Sequence, residues 1–344
     1  MRCSSLFPKT YRKFILTQFG DDFRACTKII DTPWQDPGDD DVVVKNTYAG
    51  VNGVYDFNMM RNAVSYIKFD VPTDLGIEVV GRIVAVGKNI KTLKEGDAVA
   101  TWKVGSGYRD YQVADASRIY PIREASPEIL TLIPTGVSGK VGLERIGEMT
   151  TGQTIAVSAA AGGLGHIAVQ LAKQAGNHVI GLAGSDEKCA LVRSLGCDRA
   201  INYNTENVDQ VLKTEYPAGL DIAYDSVGGR IFDVLVDHLA IRGRLIISGY
   251  TSEVGKPLQM ITSGRPWTKL YFKSASIRGF INPHFQEFWP DAAERLLASY
   301  YNGALTVLVD PTPFHGLEAI PEAVAYLMAG HNRGKVVIQL DHAI

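Results

Sequence analysis

Short runs in which apolar and polar residues alternate occupy the chain from residue 11 to about residue 131. Clusters of turn-forming residues, such as 37–41 and the pair Gly96 and Asp97, separate these runs. Several short strands at such spacing predict a barrel-like, β-rich domain. The predicted strands are 11–17, 42–51, 76–86, 98–102, 108–114 and 118–122.

Near Thr131 the pattern changes to strands that alternate with helical segments, at a period of about 25 residues. This alternation is typical of a doubly wound parallel sheet. The predicted strands are 154–159, 178–183, 199–203, 220–225, 244–248 and 276–280, and the predicted helices are 165–173, 186–195, 206–215 and 231–240. The stretch 249–273 has no clear periodicity, and a loop of that length in a compact domain is usually functional.

The pattern changes again after Asn282 and predicts a return to the first domain. We predict the helix 284–301, the strand 307–309, the helix 321–328 and the strand 335–340. The domains are therefore expected to be 1–131 with 282–344, which is β-rich, and 132–281, which is built on the parallel sheet.

Composition narrows the class of protein. A length of 344 residues with 46% hydrophobic residues suits two globular domains. The formal net charge of -2 argues against nucleic acid as a partner, because a phosphate-tracking surface needs excess Lys and Arg. No apolar run approaches the length that crosses a membrane, so we expect no membrane partner.

Cysteine usage and the start of the chain bear on location. The cysteines show no C-x-x-C spacing, which fits a reducing, cytoplasmic setting; they are Cys3, Cys26, Cys189 and Cys197. Residues 1–13 are basic and free of acids, as in a mitochondrial presequence. The alternation over 11–17 favours a strand instead, and the sequence leaves open whether this start is a targeting segment.

A glycine-rich turn joins the predicted strand 154–159 to the predicted helix 165–173. It contains Ala161, Gly162, Gly163 and Leu164. Glycines here permit a tight reversal and close approach of a pyrophosphate to the helix N-terminus, where unpaired N–H groups favour an anion. The turn therefore predicts a dinucleotide site; the alternative is that the glycines serve only packing.

The residues after the second parallel strand predict which dinucleotide binds. In folds that prefer NAD, an acid about 20 residues beyond the glycines contacts the adenosine ribose. Residues 181–185 carry no carboxylate, whereas Ser185, Lys188 and Tyr203 are expected to converge there. A hydroxyl, an ammonium and a phenol suit a 2′-phosphate, so we predict NADPH. The alternative is that Ser185 only caps a helix and that Lys188 is a solvated surface residue.

Sequence motifs along nearly the whole chain carry a resemblance to a known family. They are G-V-N (50–52), G-I-E-V-V-G (76–81), G-D-A-V (96–99), G-Y-R-D-Y (107–111), A-A-A-G-G-L-G (159–165), G-S-D-E-K (184–188), L-G-C-D-R-A-I-N-Y (195–203), D-S-V-G-G (225–229) and N-R-G-K (332–335). The chain resembles the medium-chain dehydrogenase/reductase superfamily, and within it the zinc-free quinone oxidoreductase and prostaglandin reductase group.

This resemblance implies a GroES-like β-rich barrel domain, a Rossmann domain that binds NADPH, and a homodimer. It places Lys188 and Tyr203 at the 2′-phosphate and Phe280 to Asn282 at the nicotinamide side. The further cofactor residues that it implies are Ser226, Val227, Gly249, Ile281 and Asn332.

Departures from the family's patterns exclude a metal site and affect the catalytic assignments. Zinc-dependent relatives have a ligand His where this chain has Ile77, and the four-cysteine cluster is absent, so we predict no metal. Histidines such as His166 and His238 are expected at the surface or in packing. Prostaglandin reductases use a tyrosine a few residues after the glycine that ends the strand, whereas here Tyr250 directly follows Gly249.

The resemblance implies reduction of α,β-unsaturated carbonyl compounds, with hydride delivered to the β-carbon without zinc. Neutral donors must then stabilise the resulting anion, and the candidates are Asn52, Tyr55 and Tyr250. For the tyrosines the alternative is packing, and for Asn52 it is a hydrogen bond within a turn. Two other functions stay open: reduction of quinones, and NADPH binding without robust turnover. The expected partner is a small hydrophobic enone or quinone.

Overall fold

The computed structural model describes residues 7–254 and 264–340. These residues divide into two compact units, one formed by the chain up to Pro134 and from Val309 onward, the other by Thr135–Leu308. The division therefore assigns residues 282–308 to the second unit, whereas the sequence prediction assigns them to the β-rich domain. The packing of the helix Trp289–Tyr301 on the helix Val137–Val141 accounts for that difference.

The first unit is built on two antiparallel sheets. In spatial order the larger sheet contains Val337–Gln339, Asp41–Gly50, Glu78–Val86, Ala98–Trp102 and Ile119–Pro121, with Tyr111–Asp115 also paired to Asp41–Gly50. The smaller sheet contains Thr27–Pro33, Thr10–Leu16 and Thr73–Asp74. The predicted β-rich class is thus confirmed for this unit.

Helices cover part of the first unit's core. The α-helices are Phe23–Cys26, Gly53–Met60, Pro127–Thr131 and Ile320–Met328, and the 3₁₀ turns are Ala116–Arg118 and Leu317–Ala319. Gly53 lets two of these helices approach closely, because a Cβ there would lie 2.7 Å from the sulfur of Met328. Their apolar faces close over fully buried residues such as Met59, Met60 and Ile320.

The second unit is a parallel sheet with helices on its faces. Its strand order is Arg199–Asn202, His178–Ala183, Thr154–Val157, Leu220–Asp225, Leu239–Ile247 and Ser276–Gly279, which is the doubly wound order of a Rossmann fold. Its α-helices are Val137–Val141, Gly165–Gln174, Asp186–Ser194, Val208–Glu215, Gly229–Asp237, Pro266–Tyr271 and Trp289–Tyr301. A 3₁₀ segment spans Asn282–Phe288, and π-helical turns span Leu132–Gly136 and Gly142–Ile146. The boundary between the two units falls inside the first of these π-helical turns. The predicted parallel sheet is confirmed.

Several predicted boundaries in this unit were wrong for identifiable reasons. The helix predicted at 284–301 begins as an α-helix only at Trp289, because Pro290 is tolerated in the first turn of a helix and not in its interior. The strand predicted at 244–248 begins at Leu239, where the backbone pairs with Leu220 before the register shifts.

The stretch 249–273, which has no periodicity in sequence, contains the short helix Pro266–Tyr271. Residues 255–263 of that stretch lie outside the described residues. The strand predicted at 307–309 is reduced to an isolated bridge between Val309 and Lys335, which lie within the first unit.

Parallel strands end at one common edge of their sheet, and this places the candidate cofactor residues. In the spatial order of the parallel sheet, neighbouring strands end at Asn202, Ala183, Val157, Asp225 and Ile247. The segments that follow each strand therefore emerge at the same edge, which is where an open α/β sheet binds ligands.

Candidate functional site

The glycine turn after the strand Thr154–Val157 forms a tight backbone cradle. Gly162 donates its N–H to the carbonyl oxygen of Ala159 at 2.9 Å, and Ala159 itself has a φ of 46°. A Cβ on Gly165 would lie 2.2 Å from that same carbonyl oxygen, so no side chain fits there. The helix Gly165–Gln174 has no side-chain cap, so its N-terminus suits the pyrophosphate of a dinucleotide.

The buried side chain of His166 forms a hydrogen bond with the backbone of this turn. Its Nδ1 lies 2.8 Å from the carbonyl oxygen of Gly162, and its Nε2 accepts the N–H of Leu308 at 2.9 Å. An Nε2 that accepts must be unprotonated, so the ring is neutral and Nδ1 donates to Gly162. Burial lowers the pKa of His166 to about 4. The sequence reading of His166 as a packing residue rather than a metal ligand agrees with this geometry.

A second side chain of the same helix fixes the same segment. Gln170 donates its Nε2 to the carbonyl oxygen of Thr306 at 2.8 Å and accepts the N–H of Thr306 at 2.9 Å. Together, His166 and Gln170 hold residues 306–308 against the helix that begins at the glycine turn.

Two of the residues predicted to bind a 2′-phosphate, Ser185 and Tyr203, lie at the end of the strand His178–Ala183, and the backbone of Lys188 is bonded to the first of them. Ser185 caps the next helix by accepting the N–H of Lys188 at 3.2 Å, which leaves its hydroxyl proton able to donate. A Cβ on Gly184 would lie 2.6 Å from the hydroxyl of Tyr203, so Tyr203 lies directly over Gly184. Tyr203 is 42% exposed and can therefore reach a ligand.

Asn204 is a further polar residue at this position that the sequence reading missed. Its Nδ2 donates to the carbonyl oxygen of Gly184 at 2.7 Å. The signal was the N-Y-N repeat at 202–204, since Asn commonly bonds local backbone groups in turns.

Asp225 joins the turns that follow the two central strands. Its carboxylate accepts the hydroxyl of Ser158 at 2.6 Å and the N–H groups of Val227 and Gly228 at 3.0 Å and 3.1 Å. The N–H of Ser226 in turn donates to the oxygen of Ser158 at 2.9 Å. The carboxylate is fully buried, and burial raises its pKa.

Two further predicted residues of this unit, Gly249 and Tyr250, follow the strand Leu239–Ile247. Gly249 lies against Ser226, because a Cβ there would be 3.1 Å from the Ser226 carbonyl oxygen. Tyr250 is 41% exposed and lines a pocket of about 290 Å³ with Phe232, Val236 and Ile247.

The segment that follows the edge strand Ser276–Gly279 is held by its own contacts. Phe280 donates its N–H to Ile247 at 3.0 Å. Asn282 is buried, and its amide is already engaged by Ser138 at 2.5 Å and by Trp289 at 2.9 Å. Ile281 lies between these two residues. Asn282 therefore has a structural role that the sequence did not indicate.

In the first unit, Asn52 belongs to a buried charged group that we call the Asn52 cluster, made of Asn52, Glu78 and Lys335. Asn52 donates its Nδ2 to Glu78 Oε1 at 2.7 Å, and Lys335 donates to Asn52 Oδ1 at 3.1 Å. Lys335 also forms an ion pair with the same oxygen of Glu78. This pairing could not be predicted from the sequence, since the partners are far apart in the chain.

Beside this cluster lies a second buried acid, Asp56. It accepts the hydroxyl of Tyr108 at 2.7 Å and the N–H of Asn52 at 3.2 Å, and burial raises its pKa to about 7. Tyr55 packs against the apolar core instead, and burial raises its pKa. Asn332 is buried and donates to the carbonyl oxygen of Gly334 at 2.8 Å.

Residues 7–254 and 264–340 contain no group of three or more His, Cys, Asp or Glu residues placed to hold a metal ion. His238 pairs with Asp209 at 2.8 Å. None of the helices there has the length and apolar character needed to cross a membrane.

Comparison with protein families and known proteins gives consistent matches. Residues 38–124 match the alcohol dehydrogenase GroES-like domain, and residues 163–299 match the zinc-binding dehydrogenase model. The chain is 42% identical to prostaglandin reductase-3 of Mus musculus, over 99% of this chain and 92% of that protein. It is 34% identical to a probable quinone oxidoreductase of Leishmania amazonensis, over 97% and 99% of the two chains.

Among solved structures, CurA of Vibrio vulnificus in complex with NADPH matches with a TM-score of 0.84. It is 23% identical, over 96% of this chain and 100% of that chain, which supports the two-unit fold.

The geometry of His166 predicts a specific dependence of stability on pH. Because its folded pKa is below the ordinary value, the unfolded chain binds the proton more readily, and stability should fall as pH decreases from about 6.5 to about 4. Between about pH 7 and about pH 5 this loss amounts to about 2 kcal/mol. Urea unfolding across that range should show a flatter profile for His166→Gln than for the wild type. His238→Gln is the matched control, and an equal flattening there would contradict the assignment.

Proposed function

This chain belongs to the medium-chain dehydrogenase/reductase superfamily, in its quinone oxidoreductase and prostaglandin reductase group, and from that membership we propose that it reduces α,β-unsaturated carbonyl compounds with NADPH. The observation that carries the cofactor assignment is the polar group around Gly184, which offers hydroxyl donors, with no carboxylate among residues 181–185. The 42% identity to a prostaglandin reductase supports the substrate class.

The shape of the second unit's edge fits the proposed cofactor. The backbone of Ala161, Gly162, Gly163 and Leu164 would hold the pyrophosphate, since the cradle leaves no room for a side chain at Gly165. Ser185, Lys188 and Tyr203 would bind the 2′-phosphate. The resemblance further assigns to the ribose and nicotinamide sides Ser226, Val227, Gly249, Phe280, Ile281, Asn282 and Asn332.

When bound, NADPH supplies the hydride that the β-carbon of the enone accepts. Negative charge then develops on the carbonyl oxygen, and donors fixed in advance stabilise it most effectively. Asn52 and Tyr250 are our main candidates for such donors, because an amide and a phenol donate without a metal. Tyr55 is the weaker candidate, since it packs against the core.

The proposed reaction uses no zinc, although one matching family model is named for zinc-binding members. Ile77 stands where zinc-dependent relatives carry a ligand His, and an isoleucine side chain cannot coordinate a metal. The carbonyl oxygen must therefore be polarised by hydrogen bonds.

Quinone reduction is a second candidate function. The relative from Leishmania amazonensis is named a probable quinone oxidoreductase. The apolar wall beside Tyr250, formed by Phe232, Val236 and Ile247, suits a flat quinone or an enone with a hydrocarbon chain. A cofactor-binding protein without robust turnover is the third possibility.

We also propose that the chain works as a cytoplasmic homodimer. Cys26, Cys189 and Cys197 are buried free thiols, which fits a reducing compartment, and cell fractionation tests the location. The strand Ser276–Gly279 ends the parallel sheet among the described strands. Tyr271 and Phe272, 79% and 85% exposed, precede it, so a second copy related by a two-fold axis would cover both the strand edge and the aromatic rings.

If the proposed dimer forms, the double variant Tyr271→Ser/Phe272→Ser should lower the sedimentation coefficient at micromolar concentration from the value of a dimer to that of a monomer. The reason is that two large apolar side chains leave the interface. A wild-type chain that sediments as a monomer at all concentrations would contradict the assembly.

Cofactor preference gives a direct mutational prediction. Lys188→Ala and Tyr203→Phe should weaken NADPH binding by about 1.5 to 3 kcal/mol, because the phosphate loses a charge-assisted partner. NADH affinity should change little, since NADH lacks that phosphate. Fluorescence titration with both cofactors measures the difference, and Lys213→Ala, on an exposed helix face, is the matched control. Equal losses for NADPH and NADH would contradict the assignment.

The proposed reaction predicts the position of deuterium in the product. With deuterium at the transferred position of NADPH and an enone as acceptor, deuterium should be found at the β-carbon of the saturated product by NMR. The rate should be unaffected by a chelator, and Tyr250→Phe should lower turnover if its hydroxyl donates. Turnover of quinones alone would favour the second candidate function. NADPH binding without consumption by any acceptor would leave only the third.

A further inference from the structure

The Asn52 cluster buries two full charges, and neither belongs to a residue assigned above to the cofactor. Glu78 is 0% exposed and Lys335 5% exposed. Within the part of the chain that the structure describes, Glu78 Oε2 is buried with no hydrogen-bond partner, so both donors converge on Oε1 alone. A buried ion pair of this kind is weak evidence for stability, because apolar replacement of both partners is often neutral.

The larger sheet of the first unit brings the three residues together. The strand Asp41–Gly50 lies between Glu78–Val86 and Val337–Gln339. Glu78 begins its strand, whereas Asn52 and Lys335 lie two residues beyond an end of the other two. Gly50 makes space for the carboxylate, because a Cβ there would lie 2.0 Å from Glu78 Oε1. The pair is therefore built into the backbone geometry of the sheet.

The chemistry of the pair allows only one orientation of the asparagine amide. A carboxylate only accepts hydrogen bonds, and an ammonium only donates them. Glu78 therefore requires the Nδ2 of Asn52 and Lys335 requires its Oδ1, whereas an isolated amide can exchange these two atoms by rotation. One Nδ2 hydrogen is used by Glu78, and the second is left with a fixed direction on a partly exposed side chain.

We propose that Glu78 and Lys335 are positioning residues, which hold the Asn52 amide as a preorganised donor to the carbonyl oxygen of the enone. This inference rests on the proposed function and deepens it. A donor fixed before the reaction stabilises developing charge without reorganisation, and that benefit explains why the sheet retains a costly buried pair.

The test separates positioning from stability by using paired variants. Glu78→Gln and Lys335→Met each leave one buried charge alone, so each should destabilise the fold. The double variant Glu78→Gln/Lys335→Met removes both charges at similar volume and should unfold near the wild-type urea midpoint. Its kcat for enone reduction should still fall about tenfold, with the Kd for NADPH unchanged, because the neutral replacements no longer require a single orientation of the Asn52 amide.

The decisive comparison repeats the double change in an Asn52→Ala background. If Glu78 and Lys335 act through Asn52, the double change should produce no further loss of kcat there. A tenfold loss in both backgrounds would overturn the positioning role. Lys140→Met/Glu144→Gln, which removes an ion pair from the second unit, is the matched control and should leave kcat unchanged.

A second readout does not depend on turnover. In ¹⁵N spectra, the resonance lost in Asn52→Ala identifies the side-chain amide, and one of its protons should be shifted downfield by the Glu78 carboxylate. That shift should decrease in the double variant, because a neutral acceptor replaces the carboxylate, and an ordinary amide position in the wild type would overturn the proposal. If the wild type reduces no enone or quinone, the proposed function fails, and these spectra alone then decide whether the amide is held.

Discussion

The carboxylate of Asp225 is the interaction on which the arrangement of the second unit's edge depends. It ends the fourth strand of the doubly wound order and accepts hydrogen bonds from Ser158, Val227 and Gly228. A buried carboxylate without these donors would carry a large desolvation cost, so the turns after two adjacent strands are held in one geometry. The glycine turn follows Ser158 directly along the chain. Asp225 therefore fixes the position of that turn through its hydrogen bond with Ser158, although it lies outside the turn.

Much of this architecture could be predicted from the sequence, because it rests on local patterns. The alternation of strands and helices predicted the parallel sheet, and the glycine turn fell at the edge where the fold places it. The helix Gly53–Met60 was missed, because glycine at its start is a poor helix former and its apolar residues form no narrow stripe. The strand Thr27–Pro33 was missed because it has no fully buried position.

The polar interactions were harder to predict for a different reason. Glu78 and Lys335 are separated by most of the chain, and only the order of strands in the sheet makes them partners. Asn282 was assigned to the cofactor from resemblance alone, whereas its amide is engaged by Ser138 and Trp289. A motif identifies residue types at positions, but it carries no information on which hydrogen bonds those residues make within the folded chain.

The attachment of residues 306–308 to His166 and Gln170 has a consequence for protein engineering. Insertions, tags and new chain ends are tolerated where the backbone is exposed and free of hydrogen bonds. Here Thr306 bonds through both its N–H and its carbonyl group, and Leu308 bonds to the imidazole that supports Gly162. A linker or a circularly permuted terminus at this point would loosen the glycine turn as well, although the two are distant in sequence.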